Sequence, residues 1–296
     1  MSEIDLTRDS GEFELPKLER QVFEPRAMKS GLLTGLTWAA AVLASVPLFS
    51  VIYMLLVEGG SRLDFEAITA LPPSAFETGG GFGNAIVGTL VMVGIASLIS
   101  IPFGLLAAIY LAILGPSSQL ATVSRFVAKT LTGFPSILAG VFVYAVLVIT
   151  TGYSALAGGV ALAVLMLPTV VLAAEEAMKQ VPQRMKDAAY GMGCTETQVI
   201  WKVVLPTGLP GILTGILLAI AGAAGESAPL LFTALFSSYF ISEIFEPTAS
   251  LSILIYNFSG MPFENQIQLA WAASLVLVLI VLVLNILARL FGQPKV

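Results

Sequence analysis

Residues 179–210 read KQVPQRMKDAAYGMGCTETQVIWKVVLPTGLP, a polar island between two apolar stretches. From Gln183 to Tyr190 the composition suits a short helix, and Ala188 and Ala189 leave room for another surface to approach closely. Gly191 and Gly193 weaken that helix and permit a left-handed turn. Thr195-x-x-Gln198 has the form of a capping box, which predicts a second short helix running through Trp201. Pro206 and Pro210 are expected to return the chain to the next apolar segment. Two short helices at an angle make a compact knob suited to a groove on a cytosolic partner. An ordinary amphipathic loop between two spans is the alternative.

The surroundings of the island decide the class. Hydrophobic residues are 57% of the 296 and charged residues 11%, mean hydropathy is +0.92, and soluble domains run near about 25% charged. Uncharged runs cover 30–57, 78–124, 130–174, 203–225 and 265–288, and a helix needs about 20 apolar residues to cross a bilayer. The pattern predicts an all-α polytopic membrane protein with six transmembrane helices. The expected spans are 31–57, 84–113, 125–149, 154–178, 208–235 and 266–290, with a kink at Pro102 and Gly104. They form one transmembrane domain, 30–296, behind a charged tail, 1–29, with the coupling segment at about 180–210.

Several function classes are excluded at once. The net charge is −5 and no basic patch exists, so no nucleic-acid partner is expected. Histidine is absent and Cys194 is the one cysteine, which leaves no metal site and no intramolecular disulfide to expect. Cys194 itself reads as a small residue in a reducing setting. No cleavable signal peptide is expected, since residues 1–29 are polar and acidic and the first apolar run is long enough to span. No G-x-x-x-x-G-K-[ST] pattern occurs, so the chain holds no P-loop for ATP. No cofactor and no catalytic residue are expected.

With the N-terminus in the cytoplasm, six spans return the C-terminus there. Of the 14 Lys and Arg, all but Arg62 then fall on the cytoplasmic side, as the positive-inside rule demands. The same orientation places the polar island in the cytoplasm.

Asp187-Ala188-Ala189, Gly193, Val203 and Leu205-Pro206 carry a resemblance to the cytoplasmic motif of ABC-importer membrane subunits, with Asp187 in place of the usual glutamate. Further runs resemble the PstA-type permease family of phosphate importers. They are Asn84 to Leu90, Ile101-Pro102-Phe103-Gly104, Thr132-Gly133-Phe134-Pro135-Ser136-Ile137, Leu167-Pro168-Thr169 with Glu175-Glu176, and above all Gly225-Glu226-Ser227-Ala228-Pro229-Leu230-Leu231-Phe232-Thr233. The resemblance covers roughly residues 80–290. It implies a type I ABC importer permease fold with a cytoplasmic coupling helix between spans four and five, in a bacterial plasma membrane. It also implies the partners: a homologous PstC-type permease, a PstB-type ABC ATPase dimer that binds the ATP, a PstS-type phosphate-binding protein, phosphate itself and the lipid bilayer. The family often carries arginine at the positions of Leu172 and Gly222, and glutamate at that of Ile113. Without those arginines, phosphate here would be met by the paired permease or by hydroxyls and helix ends, or the cargo is not phosphate.

The resemblance nominates Gly225, Glu226, Ser227, Pro229 and Thr233 for the translocation pathway. Glu226 is an ionisable residue in an apolar span, which normally faces the bundle interior or a cavity. Counted from Gly208 it lies roughly 27 Å along span five, where Gly225 and Pro229 can open the helix. It reads either as a gate or pathway residue or as a structural carboxylate tying two spans. Gly211, Gly215, Ala219 and Ala223 form a small-residue stripe that predicts close helix packing. Glu175 and Glu176 read as a solvated helix end, and Arg125 and Lys129 as anchors of span three at the cytoplasmic interface. Tyr239, Phe240 and Phe245 suggest a short re-entrant or docking helix within 237–264.

The expected outer segments carry Glu58, Asp64, Glu66, Glu77, Glu243, Glu246 and Glu264 against Arg62 alone. Such a mouth repels a free anion and favours delivery by a binding protein. Three competing readings remain at this point: a permease for phosphonate, molybdate or sulfate, an ion-coupled secondary transporter with Glu226 as its proton site, and a membrane scaffold.

Overall fold

A computed structural model describes residues 25–291. Most of the 1–29 tail lies outside the described residues, and the part inside, from Pro25, is already helical. The chain divides into two compact units, one ending at Tyr53 and one beginning at Met54.

The first unit is described by α1 (Pro25–Met54), which holds Pro47 within it. Its apolar side chains, Leu32, Trp38, Leu43 and Phe49 among them, are exposed, as befits a helix solvated by lipid or by another protein. The second unit continues with a wide π-turn, Leu55–Gly59, and then α2 (Phe65–Thr69), capped by Asp64 accepting from the Ala67 amide at 2.7 Å. Next come α3 (Gly83–Leu114), α4 (Gln119–Thr132), α5 (Ser136–Thr151), α6 (Ala155–Lys179), α7 (Gln183–Gly191), α8 (Glu196–Gly225), α9 (Ala228–Thr233), α10 (Leu251–Ser259) and α11 (Glu264–Phe291). Among the described residues five helices are long and apolar enough to cross a membrane, and the bent pair α4–α5 brings the number to six if it is one broken span.

Small residues let α3, α6 and α8 pack as the core. Met92 and Ala96 of α3 meet Leu162, Met166 and Val170 of α6, and Ile212, Ile216 and Ala219 of α8 join the same cluster. The stripe on α8 does what its spacing predicts: a Cβ on Gly211 would come within 2.9 Å of the Ala177 methyl, and one on Gly215 would strike Ala173. A second cluster gathers Phe82, Ala85, Leu251, Leu254, Leu269 and Ala273 where α3, α10 and α11 meet.

Gly88 sits where α3 crosses the chain entering α10, and a Cβ there would land on the Ala249 carbonyl and the Thr248 methyl. Gly88→Ala is therefore expected to cost about 1–3 kcal/mol through overpacking, read as a lower thermal midpoint of the detergent-solubilised chain.

Three expected boundaries move. Span three is not one helix over 125–149, because Gly133, Phe134 and Pro135 break it with a bend of 106°. Span five does not run over 208–235: α8 begins at Glu196 and ends at Gly225, so the helix expected to stop at Trp201 continues through Pro206 and Pro210. A π-turn at Ile200–Val204 widens the helix just before Pro206, which gives the ring room and absorbs the lost N–H bonding. Finally, residues 235–250 are irregular, with Tyr239, Phe240 and Phe245 exposed, and the helix of that region is α10, beyond them. Backbone bonds from Ala155 to the Glu246 carbonyl and from Leu156 to the Ile244 carbonyl fasten this loop to the start of α6.

Candidate functional site

Two interrupted helices face one cavity. Gly133 ends α4, Pro135 precedes α5, and the first turn of α5 at Ser136 carries no side-chain cap. On the other side α8 stops at Gly225, Glu226 is extended (φ −72, ψ 127), and Pro229 sits in the first turn of α9. The Glu226 break is pinned from behind, where Ser252 Oγ donates to the Glu226 carbonyl at 2.8 Å and lies 3.0 Å from Ser250 Oγ. Interrupted helices of this kind are how membrane proteins bring backbone and polar groups to a pathway.

Between the breaks lies a cavity of about 220 Å³ lined by Thr132, Phe134 and Ser136, by Thr169 of α6, and by Gly222 and Glu226. The Glu226 carboxylate is its one charged group. Thr132 spends its hydroxyl proton on the Lys129 carbonyl at 2.7 Å. No atom lies within 4 Å of where a Gly222 Cβ would stand, so that wall is open. The site can accept hydrogen bonds at Glu226 and offer hydroxyls at Ser136 and Thr169.

The nominated pathway residues separate. Glu226 lines the cavity and Gly225 stands beside it with open space around its Cα. Ser227, half-buried, is the N-cap position of α9. Pro229 is buried against Gly140, and Thr233 is buried with its hydroxyl bonded to the Pro229 carbonyl at 2.8 Å, so both lie in packing and away from the cavity. Thr132, Phe134, Ser136, Thr169 and Gly222 were absent from the nominated set. Their signal was the glycine and proline interruption at 133–135, in the middle of an apolar run, paired with the one at Gly225 and Pro229.

The coupling segment folds as a helix, a left-handed turn and a second helix. Gly193 takes φ +83, and the capping box is complete: the Gln198 amide donates to Thr195 Oγ1 and the Thr195 amide to Gln198 Oε1 at 3.0 Å. Asp187, Ala188, Gly193 and Pro206 are exposed, together with Tyr190 and Met192. Ala189 is buried, and Val203, Leu205 and Cys194 pack against the core. The motif thus has an exposed half and a buried half that seats it.

One expectation about charge is corrected. Glu175 is not solvated: it is 3% exposed and paired with Arg125 at 2.6 Å and Lys179 at 2.5 Å, while Glu176 is exposed. Arg125, read as an anchor of span three, also donates to the carbonyls of Leu111 and Pro116. Among the acids expected on the outer side, Asp64 pairs with Arg62, Glu66 accepts from the Gly80 amide and Glu77 from the Ser74 amide.

Bundled spans, two interrupted helices around a cavity and an exposed helix–turn–helix between spans recur in the permeases of ABC importers, and the comparisons with known proteins place the chain in that class. The same fold occurs in a chain of a bacterial alginate ABC transporter (TM-score 0.64, 15% identity, 94% of this chain and 100% of that one). It occurs also in the MetNI methionine transporter (TM-score 0.56, 18% identity, 72% and 96%). The family model described as "binding-protein-dependent transport system inner membrane component" matches residues 100–294. "Phosphate transport system permease protein PstA" of Pasteurella multocida is 38% identical over 92% of this chain and 98% of its own length. The protein of that name from Yersinia pestis is 37% identical over 100% and 99%. A probable PstA of Methanocaldococcus jannaschii is 38% identical over 89% and 94%. The chain belongs to the binding-protein-dependent inner membrane component family, and within it to the PstA permeases.

Proposed function

We propose that this chain is the PstA-type subunit of an ATP-driven phosphate importer, forming half of the translocation pathway and performing no chemistry itself. The relationship to PstA permeases along essentially the whole chain carries the reading. Its partners would be a PstC-type permease, a PstB-type ATPase dimer that binds the ATP and a PstS-type phosphate-binding protein. In a bacterial plasma membrane both termini would lie in the cytoplasm, where the lysines and arginines of the coupling segment would also lie.

The mechanism follows from the two halves of the site. Closure of the ATPase dimer displaces the exposed half of the coupling segment, Asp187, Ala188 and Gly193. Val203, Leu205 and Pro206, in the first turns of α8, carry the displacement along a helix that ends at the cavity. The spans then alternate between outward-open and inward-open states around it. Glu226 does not ligate the anion, because two negative groups repel. It orients a cationic or donor group of the paired permease, and Ser136 and Thr169 supply hydroxyls to the anion.

The test is uptake of radiolabelled phosphate into vesicles holding the four-component complex, with sulfate, molybdate and a phosphonate as competitors. ATP-dependent uptake that none of these suppresses supports the reading. Turnover driven by one of the competitors would replace the substrate, and uptake without ATP would overturn the reading. Glu226→Gln in the same vesicles is expected to lower uptake at least about tenfold, the loss of a charge-assisted hydrogen bond, with assembly unchanged.

A further inference from the structure

The short helix α4 is tied at its middle by Arg125 and borders the cavity at its C-terminal end. About two turns before Thr132, Arg125 commits every nitrogen of its guanidinium: Nε to Glu175 Oε1 at 2.6 Å, Nη1 to the Pro116 carbonyl at 2.8 Å and Nη2 to the Leu111 carbonyl at 2.6 Å. Glu175 also receives Lys179 Nζ at 2.5 Å, in the last turn of α6. Three residues, Gln180 to Pro182, then lead directly into α7 of the coupling segment.

Besides this tie, α4 rests on Ala121, which packs with Leu111 and Val171, and on its Ser118 cap. Of its residues only Ala121 and Ala128 are buried, and Leu120, Val123 and Phe126 are exposed. A planar guanidinium making three bonds at once fixes orientation as well as position, so α4 must follow the end of α6 more closely than its sparse packing would enforce.

We infer that Arg125 is a positioning residue of the transport cycle: through Glu175 it makes α4 a lever that carries displacement of the coupling segment to the Gly133–Pro135 bend at the cavity. The inference rests on the ATP-driven reading above. It adds a second route to the cavity beside α8, one that reaches the opposite wall.

Arg125→Met removes the tie while Lys179 still neutralises Glu175, and Arg125→Lys keeps a charge for Glu175 but loses the fork that reaches Leu111 and Pro116. Both variants are compared with the unaltered four-component complex for ATP hydrolysed per phosphate imported, normalised to assembled complex. About tenfold more ATP per phosphate is expected for Arg125→Met, within the range of mutations along coupled networks, and an intermediate value for Arg125→Lys. A ratio unchanged in both variants would reduce the cluster to a structural role and overturn the inference. Deuterium uptake of peptides spanning 130–138, with and without ATP, needs no substrate and so separates this inference from the identity of the cargo. An ATP-dependent change in the unaltered complex that disappears in both variants supports the lever, and one that persists in them refutes it.

Discussion

Gly193→Asp is expected to abolish ATP-driven uptake, by at least about tenfold, while the thermal midpoint of the isolated chain hardly moves. The geometry separates the two possible causes. Gly193 holds φ +83, a region that costs an L residue roughly 1–2 kcal/mol, and aspartate and asparagine tolerate it better than most residues. Among the described residues, no atom beyond its two chain neighbours lies within 4 Å of the position a Cβ would take. A new side chain therefore meets nothing internal, and what it meets must come from outside. If the turn enters a groove of the ATPase, Asn and Asp at this position both lose uptake although neither strains the backbone much. If backbone strain alone mattered, Gly193→Val would be far worse than Gly193→Asn, and Asn would retain uptake. The comparison needs uptake and ATP hydrolysis on one preparation, with co-purification of the ATPase as the docking readout. Retained uptake in both polar variants would remove Gly193 from the coupling surface.

The sequence made that turn legible because its signals are local. Glycine where a left-handed residue is needed, and a threonine three residues before a glutamine, each act within one turn of backbone, and the structure has both. The small-residue stripe was legible for a similar reason, since a four-residue repeat defines one face of a helix whatever lies opposite. Pro206 misled because a proline marks a helix boundary only on average, and the π-turn at Ile200–Val204 that carries the helix through it has no clear signature in composition. Thr233 donates its hydroxyl to the Pro229 carbonyl one turn back, as most serines and threonines in apolar helices do. The cavity was hidden for a different reason. Its walls are contributed by residues 131–136, 165–169 and 218–226, and only the assembled bundle brings them together.

Glu175 shows how far a long-range pairing can reverse a local reading, and Glu175→Ala is the substitution expected to cost the fold most. Read locally, two glutamates and a lysine at the end of an apolar helix are a solvated terminus. In the fold the Glu175 side chain keeps 4% of its exposure and joins Arg125, fifty positions away, with Lys179 at its other flank. Surface ion pairs contribute about 0–1 kcal/mol, but removing one partner of a buried pair costs about 3–5 kcal/mol, because it strands the other charge. Arg125 is the stranded partner here: its side chain is 21% exposed, and its two carbonyl bonds hold it in place without neutralising it. Lys179, 41% exposed, can turn to water. Glu175→Ala should therefore destabilise by about 3–5 kcal/mol and Glu175→Gln by less, since the amide oxygen still accepts from Nε. The double variant Glu175→Ala with Arg125→Met removes both buried charges and should recover much of the loss. Chemical denaturation of the solubilised chain in a double-mutant cycle measures this directly. Additivity of the two single changes would show that Glu175 and Arg125 are not coupled and that the loss at Glu175 comes from its other contacts, Lys179 among them.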